Sequence, residues 1–520
     1  MANPNSAEID PRSGFCSKNS IFYSKRKPIQ LRTDPNIDVV TFISSHTHSS
    51  TTAFIDASTG QRLSYQDLWR SVKFLSFSLS SIHGVRKGQV VLILSPNSLH
   101  FPIVSLAVLS IGAILTTTNP LNNALELAAQ IEDSRPVLAF TTSALLPKLG
   151  GHQFPLLLLE EEPVSQDDVA TLLYSSGTTG TSKGVVATHR NMIAMVQILH
   201  DRYRSDEDLN TFLCTVPMFH VYGLAGFAIG MLTMGSTVVI LSQFDIGEML
   251  RAIVEYQVTH LPVVPPVLVA LQGSEKVLLL GKLHKVICGG APLGREVVEG
   301  FREKYPDVHI MQGYGLTEST AMGASADTEE DSRRYGSAGL LVPNTEARIV
   351  DPMDGKFLSM NSPGELWIRG PFVMKEYFKN EEATRLTLDL EGWLRTGDLC
   401  YIDEDGYLFV VDRLKELIKY KAYQVAPAEL EALLLKHPQI VDAAVIPFPD
   451  KEVGQYPMAY VVRRAESELS ESSVIEFIRR QVAPYKKIRR VAFVPAVPKN
   501  QAGKILRKDL IKLATSISML

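Results

Sequence analysis

Short apolar runs alternate with amphipathic stretches through the first 340 residues of the chain. The runs VVLIL (90–94), TVVIL (237–241) and KVIC (285–288) have the length and the β-branched content of buried strands. After KVIC, apolar side chains recur on one face from about 297 to 305, as they do on an amphipathic helix. This alternation predicts an α/β domain in which helices cover β-sheets.

The pattern becomes β-rich from about residue 345, and it indicates a second compact domain from about 415. The segment 401–411 carries Asp405-Gly406, a pair that is typical of a hairpin turn. The last hundred residues show helix patterns at 427–437 and 473–482 and strand patterns at 440–446, 458–463 and 491–494. Ser473 and Glu476 have capping-box spacing at the second helix. We therefore expect a C-terminal α+β domain of roughly 100 residues, an ordinary domain size.

Composition and charge exclude several classes of protein. The 520 residues are too many for one hydrophobic core, so at least two domains are expected. The net charge of −4 argues against a protein built mainly to bind nucleic acid. None of the four cysteines has CxxC spacing, so we expect neither a zinc site nor a disulfide framework. A reducing intracellular compartment fits this cysteine usage best.

We expect no segment to cross a membrane. The most apolar stretch, 101–115, contains Pro102 and is shorter than the roughly 20 residues that a span needs, so it predicts a buried helix. The N-terminus lacks the basic segment and apolar run of a secretory signal. The last three residues, Ser518-Met519-Leu520, are similar to the peroxisomal S-K-L address and predict a peroxisomal import receptor as a partner. The alternative is an arbitrary tail on a cytoplasmic protein.

One segment, YSSGTTGTSKGV (174–185), carries unusual candidate chemistry. Strand patterns at 169–174 and 185–188 flank a loop of Ser, Thr and Gly that ends beside Lys183. Such a loop can turn successive N–H groups inward to bind an anion, and the lysine adds a full charge. A plain flexible hairpin loop is the alternative. The chain has no Walker A pattern, and GYGLTE fails the dinucleotide fingerprint because Glu318 stands at the third glycine. A P-loop kinase and a Rossmann dehydrogenase are therefore disfavoured.

Five motifs occur in the order that adenylate-forming enzymes have them. They are YSSGTTGTSKGV, GYGLTE (313–318), GELWIRGP (364–371), the long segment 393–431 and PKNQAGKILRKDL (498–510). Over nearly its whole length the chain resembles this superfamily of acyl-CoA synthetases, firefly luciferase and peptide-synthetase adenylation domains. PMFHVYGL and KYKAYQVAPAELE are most similar to the plant 4-coumarate–CoA ligase-like branch.

The resemblance implies both a fold and its division into domains. The fold would be α/β, with a large N-terminal domain, residues 1–412, of two helix-covered β-sheets and a small β-barrel. A hinge at 413–415 would join it to a mobile C-terminal α+β lid domain, residues 416–520.

The resemblance also implies a carboxylate–CoA ligase that uses ATP, Mg²⁺ and coenzyme A. A carboxylate is a poor electrophile, so its oxygen first attacks the α-phosphate of ATP and forms an acyl-adenylate and pyrophosphate. A thiolate then displaces AMP and forms the thioester. Because charge accumulates on phosphate oxygens in the first step, the site needs cations and N–H donors. We expect an acid–thiol ligase that acts on an aromatic, hydroxycinnamate-type acid.

The motifs assign the nucleotide site residue by residue. The residues that match family contacts to ATP or AMP are Ser175, Ser176, Gly177, Thr178, Thr179, Lys183, Gly313, Tyr314, Thr317, Asp398, Arg413, Lys415, Lys419, Gln424 and Lys504. The expected catalytic residues are Lys504, His220, Thr317 and Glu318. Lys504 would bridge the attacking carboxylate and the α-phosphate, and Glu318 would bind Mg²⁺. Taken singly, these two residues are also typical of solvated surface charges, and His220 of a packed structural histidine.

The acyl pocket and the CoA site depart from the family pattern. The pocket positions are Tyr222, Gly226, Gly289, Gly290, Gln312, Gly315 and Ser325. Gly226 stands where hydroxycinnamate enzymes often have serine, and TESTA replaces TEAGP, so a fatty or jasmonate-precursor acid is an alternative substrate. At the CoA site Lys421 is kept. Gln243 replaces a common cation and Ala422 replaces a glycine beside the pantetheine tunnel, which predicts a raised KM for CoA.

Two other functions stay open on the sequence. One is adenylation without efficient transfer to CoA. The other is a non-catalytic nucleotide-binding protein, which the retained charged residues of the motifs disfavour.

Overall fold

A computed structural model describes residues 8–46, 48, 52–149, 163–175, 182–203, 210–273, 280–290, 293–420, 423–450, 453–499 and 505–517. Its α-helices are Val39–Ser44, Tyr65–Phe77, His100–Ser110, Ala124–Ser134, His189–Tyr203, Ile246–Glu255, Pro265–Gly273, Arg295–Lys304, Glu329–Ser332, Glu381–Thr387, Pro427–Leu435, Glu471–Arg479 and Arg507–Ile517. Shorter 3₁₀ and π-helical segments are Ser78–Ile82, Leu146–Leu149, Tyr222–Ile229, Gly230–Met234, Thr317–Ser319, Leu414–Glu416 and Pro484–Lys486. Within the described ranges no helix combines the length and the apolar character that a membrane crossing requires.

Six parallel strands form the middle of the largest sheet. Their order across the sheet is Thr52–Asp56, Thr237–Ile240, Thr211–Cys214, His260–Val263, Lys285–Cys288 and His309–Tyr314. Arg62–Ser64 adds an antiparallel edge. Phe212 packs into one apolar core and Leu213 into another, because successive strand side chains point to opposite faces. The predicted strands at 237–241 and 285–288 are confirmed.

The same sheet continues as antiparallel strands beyond His309–Tyr314. Their spatial order is Ala324–Ser325, Ser337–Leu341, Tyr407–Arg413, Leu394–Ile402, Gly364–Arg369, Glu346–Val350, Ile21–Tyr23 and Phe15–Cys16, and Phe357–Leu358 pairs with Glu346–Val350. This is the β-rich segment that the sequence pattern indicated. Its predicted hairpin is confirmed, because the Asp403 carboxylate accepts the N–H groups of Asp405 and Tyr407 at the turn.

A second sheet carries the strands on both sides of the Ser/Thr/Gly loop. Its order is Glu376–Tyr377, Lys183–Thr188, Val169–Ser175, Ile114–Thr117, Val90–Leu94 and Leu138–Thr141. The predicted buried helix at 101–115 is shorter than expected and ends at Ser110. Gly112, with a φ of 69°, turns the chain there, and the rest of the apolar run forms the strand Ile114–Thr117.

The C-terminal residues form a five-stranded sheet with apolar side chains on both faces. Its strands are Tyr423–Val425, Ile418–Tyr420, Gly454–Arg463, Ile440–Asp450 and Arg490–Phe493. Val445 packs in one core with Leu430 and Ile478 of two covering helices. Ile446 packs on the other face with Leu510 of the last helix. The expected small α+β domain is therefore present.

The start of the helix Glu471–Arg479 differs from the predicted capping box. Ser470, three residues upstream of Ser473, accepts the Ser473 N–H through its hydroxyl at 3.2 Å and is the N-cap. Glu476 is bound to Arg479 and Arg480 instead of reaching back to the helix start. The helix therefore begins three residues earlier than the predicted capping box implies.

The helix Pro427–Leu435 is capped from another part of the chain. Its own N-cap, Ala426, has no side chain that can accept a hydrogen bond. Asp412 of the strand Tyr407–Arg413 accepts the Ala428 N–H at 2.9 Å. Asp412 is buried, and burial raises the pKa of its carboxyl group. A strand of the large sheet thus supplies a cap to a helix of the C-terminal domain.

Candidate active site

The two ends of the Ser/Thr/Gly loop lie beside Glu318 and Tyr377. The antiparallel strands place Ser175 opposite Lys183. The Ser175 hydroxyl donates to Glu318 Oε1 at 2.9 Å, and the Tyr377 hydroxyl donates to the same oxygen at 2.8 Å. The Lys183 ammonium lies 4.9 Å from the centre of the Tyr377 ring. The predicted loop residues that lie outside the described ranges are Ser176, Gly177, Thr178 and Thr179.

Tyr377 is a member of this cluster that sequence reasoning missed. It lies in the strand Glu376–Tyr377, which pairs with Val185 and Val186 just after Lys183. Its only sequence signal is its place a few residues after GELWIRGP, and the pairing of the strands brings it to the loop. Among the described residues, both hydrogen bonds to the Glu318 carboxylate end on Oε1. This arrangement fixes the carboxylate and leaves Oε2 for a cation.

A second cluster joins GYGLTE to the TGD motif. The Tyr314 hydroxyl donates to Asp398 Oδ2 at 2.7 Å, and Arg413 Nε lies 3.4 Å from Asp398 Oδ1. Asp398 and Arg413 are also cross-strand partners in the hairpin. Burial and the Asp398 charge raise the pKa of Tyr314 well above its ordinary value, so the phenol keeps its proton. Two predicted nucleotide contacts, Tyr314 and Arg413, therefore both lie within bonding distance of a third, Asp398.

The turn that carries Thr317 and Glu318 is tightly packed. A Cβ on Gly315 would lie 1.8 Å from the Ala321 carbonyl oxygen, so only glycine fits there. The Thr320 hydroxyl donates to the Phe372 carbonyl at 2.7 Å and ties the turn to the residue that follows GELWIRGP. Packing on both sides therefore fixes the backbone of this turn.

The predicted acyl-pocket positions lie on adjoining elements. Tyr222 and Gly226 are on the segment Tyr222–Ile229, and the Tyr222 hydroxyl lies 3.5 Å from the Ile287 carbonyl. Gly289 and Gly290 follow the strand that contains Ile287. Gln312, Gly313 and Gly315 lie in or just after the neighbouring strand, His309–Tyr314. A Cβ on Gly226 would meet no heavy atom within 4 Å, so this position borders open space.

Ser325 is tied into a charged cluster next to these positions. It pairs with Gly313 across two antiparallel strands and is buried. Its hydroxyl donates to Asp327 Oδ1 at 2.7 Å. The Ser325 hydroxyl is therefore bound to Asp327, and its backbone pairs with that of Gly313.

His220 precedes the segment that carries Tyr222. Its ring centre lies 4.6 Å from that of Phe219, and its side chain reaches solvent. Surrounding protein atoms still desolvate the imidazolium, which lowers the pKa of His220. A ring that is neutral at pH 7 can form a hydrogen bond to a neighbouring carboxylate or carbonyl without adding charge.

Comparison with known proteins decides the family. Residues 43–378 match the family model of the AMP-binding enzyme, and residues 429–504 match that of the AMP-binding enzyme C-terminal domain. Peroxisomal OPC-8:0-CoA ligase 1 of Arabidopsis thaliana is 61% identical, over 99% of this chain and 100% of the relative. The 4-coumarate–CoA ligase-like 4 of Oryza sativa subsp. japonica is 60% identical, over 98% of each chain. The chain belongs to the AMP-binding enzyme family.

Solved structures confirm the predicted fold of this AMP-binding enzyme. ATP-bound MatB of Rhodopseudomonas palustris aligns with a TM-score of 0.83 at 25% identity and covers 93% of this chain and 99% of its own. The o-succinylbenzoate CoA synthetase MenE of Bacillus subtilis, with its acyl-adenylate intermediate, aligns with a TM-score of 0.80 at 28% identity, over 93% and 98%. The chain is an ATP-dependent carboxylate–CoA ligase with a large sheet-rich N-terminal domain and a smaller C-terminal domain.

The predicted hinge of the AMP-binding enzyme lies in the turn Leu414–Glu416, just after the strand that ends at Arg413. Lys415 is exposed, but desolvation by neighbouring protein atoms together with the charge of Arg413 lowers the pKa of its ammonium group. Lys419 is exposed in the first strand of the C-terminal sheet and pairs with Gln424. Gln243 is exposed in a loop of the N-terminal domain, away from these residues in sequence. The predicted residues Lys421, Ala422 and Lys504 lie outside the described ranges, as do Ser518, Met519 and Leu520.

A partly buried ion-pair network holds the segment that follows Lys504. Arg507 donates to both oxygens of Glu431 at 2.8 Å, and its other terminal nitrogen lies 3.1 Å from Glu416. Burial raises the pKa of Glu431 to about 7, although Arg507 opposes the shift. The start of the last helix is thereby tied to the predicted hinge turn.

The described side chains fit a Mg²⁺ ion that is held mainly by phosphate. No group of three His, Cys, Asp or Glu side chains in the described part of the chain is placed to hold a metal ion. Mg²⁺ commonly takes one or two protein carboxylates together with phosphate oxygens and water. Glu318 offers one carboxylate in a fixed orientation, which is a sufficient protein ligand for such a site.

Proposed function

We propose that this ligase converts a fatty or jasmonate-precursor acid into its CoA thioester and releases AMP and pyrophosphate. The observation that carries the proposal is the open space at Gly226, where a Cβ meets nothing within 4 Å. A serine there would narrow the pocket and add a polar group, so glycine favours a bulky apolar chain. The 61% identical relative, a peroxisomal OPC-8:0-CoA ligase, supports this substrate class.

A hydroxycinnamate-type acid is the second candidate. A relative that is 60% identical over 98% of this chain is named 4-coumarate–CoA ligase-like. The ring of Tyr222 offers such an acid a flat apolar wall.

In the first half-reaction, a substrate carboxylate oxygen attacks the α-phosphorus of ATP and the bond to pyrophosphate breaks. Lys183 and the loop N–H groups hold the β- and γ-phosphates. Glu318, oriented by Ser175 and Tyr377, would hold Mg²⁺, and the cation would supply positive charge next to the phosphate oxygens. Lys504 bridges the carboxylate and the α-phosphate.

In the same step the Tyr314–Asp398–Arg413 cluster binds the nucleoside. Tyr314 lies against the adenine, and the Asp398 carboxylate accepts the ribose hydroxyl groups. Thr317 contacts the α-phosphate from the fixed turn.

In the second half-reaction, the thiolate of CoA attacks the acyl carbon and the bond to AMP breaks. Neutral His220 donates a hydrogen bond to the acyl group while that group passes from AMP to the sulfur of CoA. The C-terminal domain turns about residues 413–415 and brings Lys421 and Ala422 to the CoA.

A panel of acids tests the substrate class. With purified protein, ATP and Mg²⁺, we expect pyrophosphate release with medium- and long-chain fatty acids and jasmonate-precursor acids, and a CoA thioester once CoA is added. Gly226→Ser should lower kcat/KM for these acids about 10-fold and leave 4-coumarate unaffected, because a small group in an apolar pocket has an effect of this size. Thioester formation with 4-coumarate alone would refute the fatty or jasmonate-precursor assignment, and pyrophosphate without thioester would refute CoA transfer.

We further infer that the protein works in peroxisomes and that Ser518-Met519-Leu520 binds the import receptor. The peroxisomal relative supports this location. A fluorescent protein fused to the N-terminus should follow a peroxisomal marker in plant cells. Removal of the last three residues should make the signal diffuse, whereas Ser516→Ala, just upstream of the tripeptide, should not. An unchanged location after the deletion would contradict the role of the tripeptide.

A further inference from the structure

A buried arginine lies beside the predicted acyl pocket, and the reaction described above does not use it. Arg202 is in the last turn of the helix His189–Tyr203, and only 5% of its side-chain surface is exposed. Its Nε lies 2.8 Å from Asp327 Oδ1, and Nη2 donates to the Ala326 carbonyl at 2.8 Å. Among the described residues, the hydrogen-bond partner of Nη1 is the Met322 sulfur, at 3.8 Å.

The neighbours of Arg202 place it next to the pocket wall. Met322, whose sulfur contacts Arg202 Nη1, lies in the apolar core against which Tyr222 packs. Tyr222 begins the segment whose Gly226 borders open space. Met322 follows directly on the turn that carries Thr317 and Glu318. The guanidinium therefore contacts residues that adjoin predicted pocket positions: Asp327, which also binds Ser325, and Met322.

The charge of Arg202 is already balanced by the protein. Burial alone would lower the pKa of Arg202, but the surrounding charges, Asp327 first among them, together outweigh burial and raise the pKa, so the guanidinium stays charged. Asp327 Oδ2 also lies 2.5 Å from Arg26, and Arg26 lies 3.5 Å from Asp331. The two arginines and the two aspartates sum to zero charge. An added anion would be uncompensated in this cluster, whereas a neutral acceptor would leave the balance unchanged.

The charge of Arg202 is compensated, but one of its nitrogens, Nη1, has only a weak hydrogen-bond acceptor among the described residues. Asp327 Oδ1 accepts both Arg202 Nε and the Ser325 hydroxyl. A thioether sulfur is a weak acceptor, so the Nη1 donors of a buried guanidinium lack a strong partner among the described residues. Such donors bind a ligand oxygen strongly because the competing water is excluded.

We propose that Arg202 Nη1 determines specificity by donating a hydrogen bond to an uncharged oxygen, such as an oxo group, at the end of the acyl chain far from the carboxylate. This inference rests on the proposed function, because it refines the class of acid that the pocket takes. An oxo acid should be preferred over a plain acid of equal length, and over the dicarboxylic acid that carries an uncompensated charge.

The first test uses the wild-type enzyme alone. Pyrophosphate release is measured with a plain fatty acid, its distal oxo derivative and the matching dicarboxylic acid, with chain length varied. At the best length kcat/KM for the oxo acid should exceed that for the plain acid by about 10- to 100-fold, as a hydrogen bond to a charged donor provides. Equal values at every length would overturn the role of Arg202. Absence of activity with every acid would instead overturn the proposed function.

The second test changes the donor. Arg202→Met keeps a long unbranched side chain and removes the N–H groups. The ratio of kcat/KM for the oxo acid to that for the plain acid should fall close to one, while activity on the plain acid persists. Arg202→Lys preserves the charge and should keep part of the preference. If Arg202→Met fails to fold, as ATP-binding measurements would reveal, the Lys variant and the wild-type series decide the question. An unchanged preference in the Lys variant and in any folded Met variant would contradict the proposal.

A spectroscopic measurement separates binding from a purely structural role. The infrared stretch of a ¹³C-labelled oxo group should shift to lower frequency when the acid binds the wild-type enzyme, because a guanidinium polarises the carbonyl bond. The shift should be smaller with Arg202→Lys. An oxo band at its frequency in water-free solvent would show that no donor reaches the group.

Discussion

Replacing Lys504 with alanine should lower the rate of adenylate formation by about 10²- to 10³-fold, the usual effect of removing one preorganised electrostatic contact to a transition state. The ammonium group is expected to bridge the attacking carboxylate and the α-phosphate, and no other residue is assigned to that bridge. Conversion of a pre-formed acyl-adenylate to the thioester should change by a few-fold only. Pyrophosphate release and single-turnover thioester formation measure the two halves separately.

Lys508→Ala provides the matched control. Lys508 lies in the same basic segment, is exposed, and has no assigned contact to substrate. Its replacement should leave both half-reactions near the wild-type rate. If Lys504→Ala slowed both halves equally, the lysine would be acting on the fold or on domain movement rather than on the attack at phosphorus.

Glu318→Gln should lower adenylation by about 10²-fold or more and raise the Mg²⁺ concentration needed for half-maximal rate. The amide oxygen can still accept the hydrogen bonds from Ser175 and Tyr377, so the local structure should persist while the charge that binds the cation is lost. A titration of pyrophosphate release against Mg²⁺ measures both effects.

Tyr377→Phe separates orientation from charge at the same site. It removes the 2.8 Å hydrogen bond to Glu318 and keeps the ring beside Lys183. We expect a loss smaller than that of Glu318→Gln, with a modest change in Mg²⁺ dependence. A Glu318→Gln enzyme with an unaltered Mg²⁺ titration would refute metal binding at this carboxylate.

The layered architecture was predictable because its signals are local. Buried strands such as Val90–Leu94 and Lys285–Cys288 are short apolar runs, and their neighbours in sequence determine them. The predicted length of the helix at 101–115 was wrong, because a continuous apolar run does not reveal where the chain changes from helix to strand. Gly112 marks the change, but an isolated glycine is a weak boundary signal.

The site residues that lie in family motifs could be predicted from the sequence. Resemblance named Glu318, Tyr314 and Asp398, and the structure brings the motifs of these residues together through hydrogen bonds. Physical reasoning from the sequence could not have paired them, because they lie 84 to 143 residues from their partners. The roles of the individual residues stay predictions.

Residues outside the motifs were missed for the same reason. Tyr377 reaches Glu318 only through the pairing of two strands. Arg202 and Asp327 meet across the interior, and single charged residues in a long chain are usually surface residues. Long-range pairing of this kind needs the folded structure.

The cap that Asp412 gives to the helix Pro427–Leu435 bears on how easily the two domains can part. The predicted hinge lies between Asp412 and Ala428 in sequence, so a large rotation there has to break the hydrogen bond that joins them. A helix cap is worth about 1 kcal/mol, which shifts an equilibrium by roughly fivefold. If the domains rotate at this predicted hinge, Asp412 would act as a weak latch that favours the present arrangement and breaks at little cost.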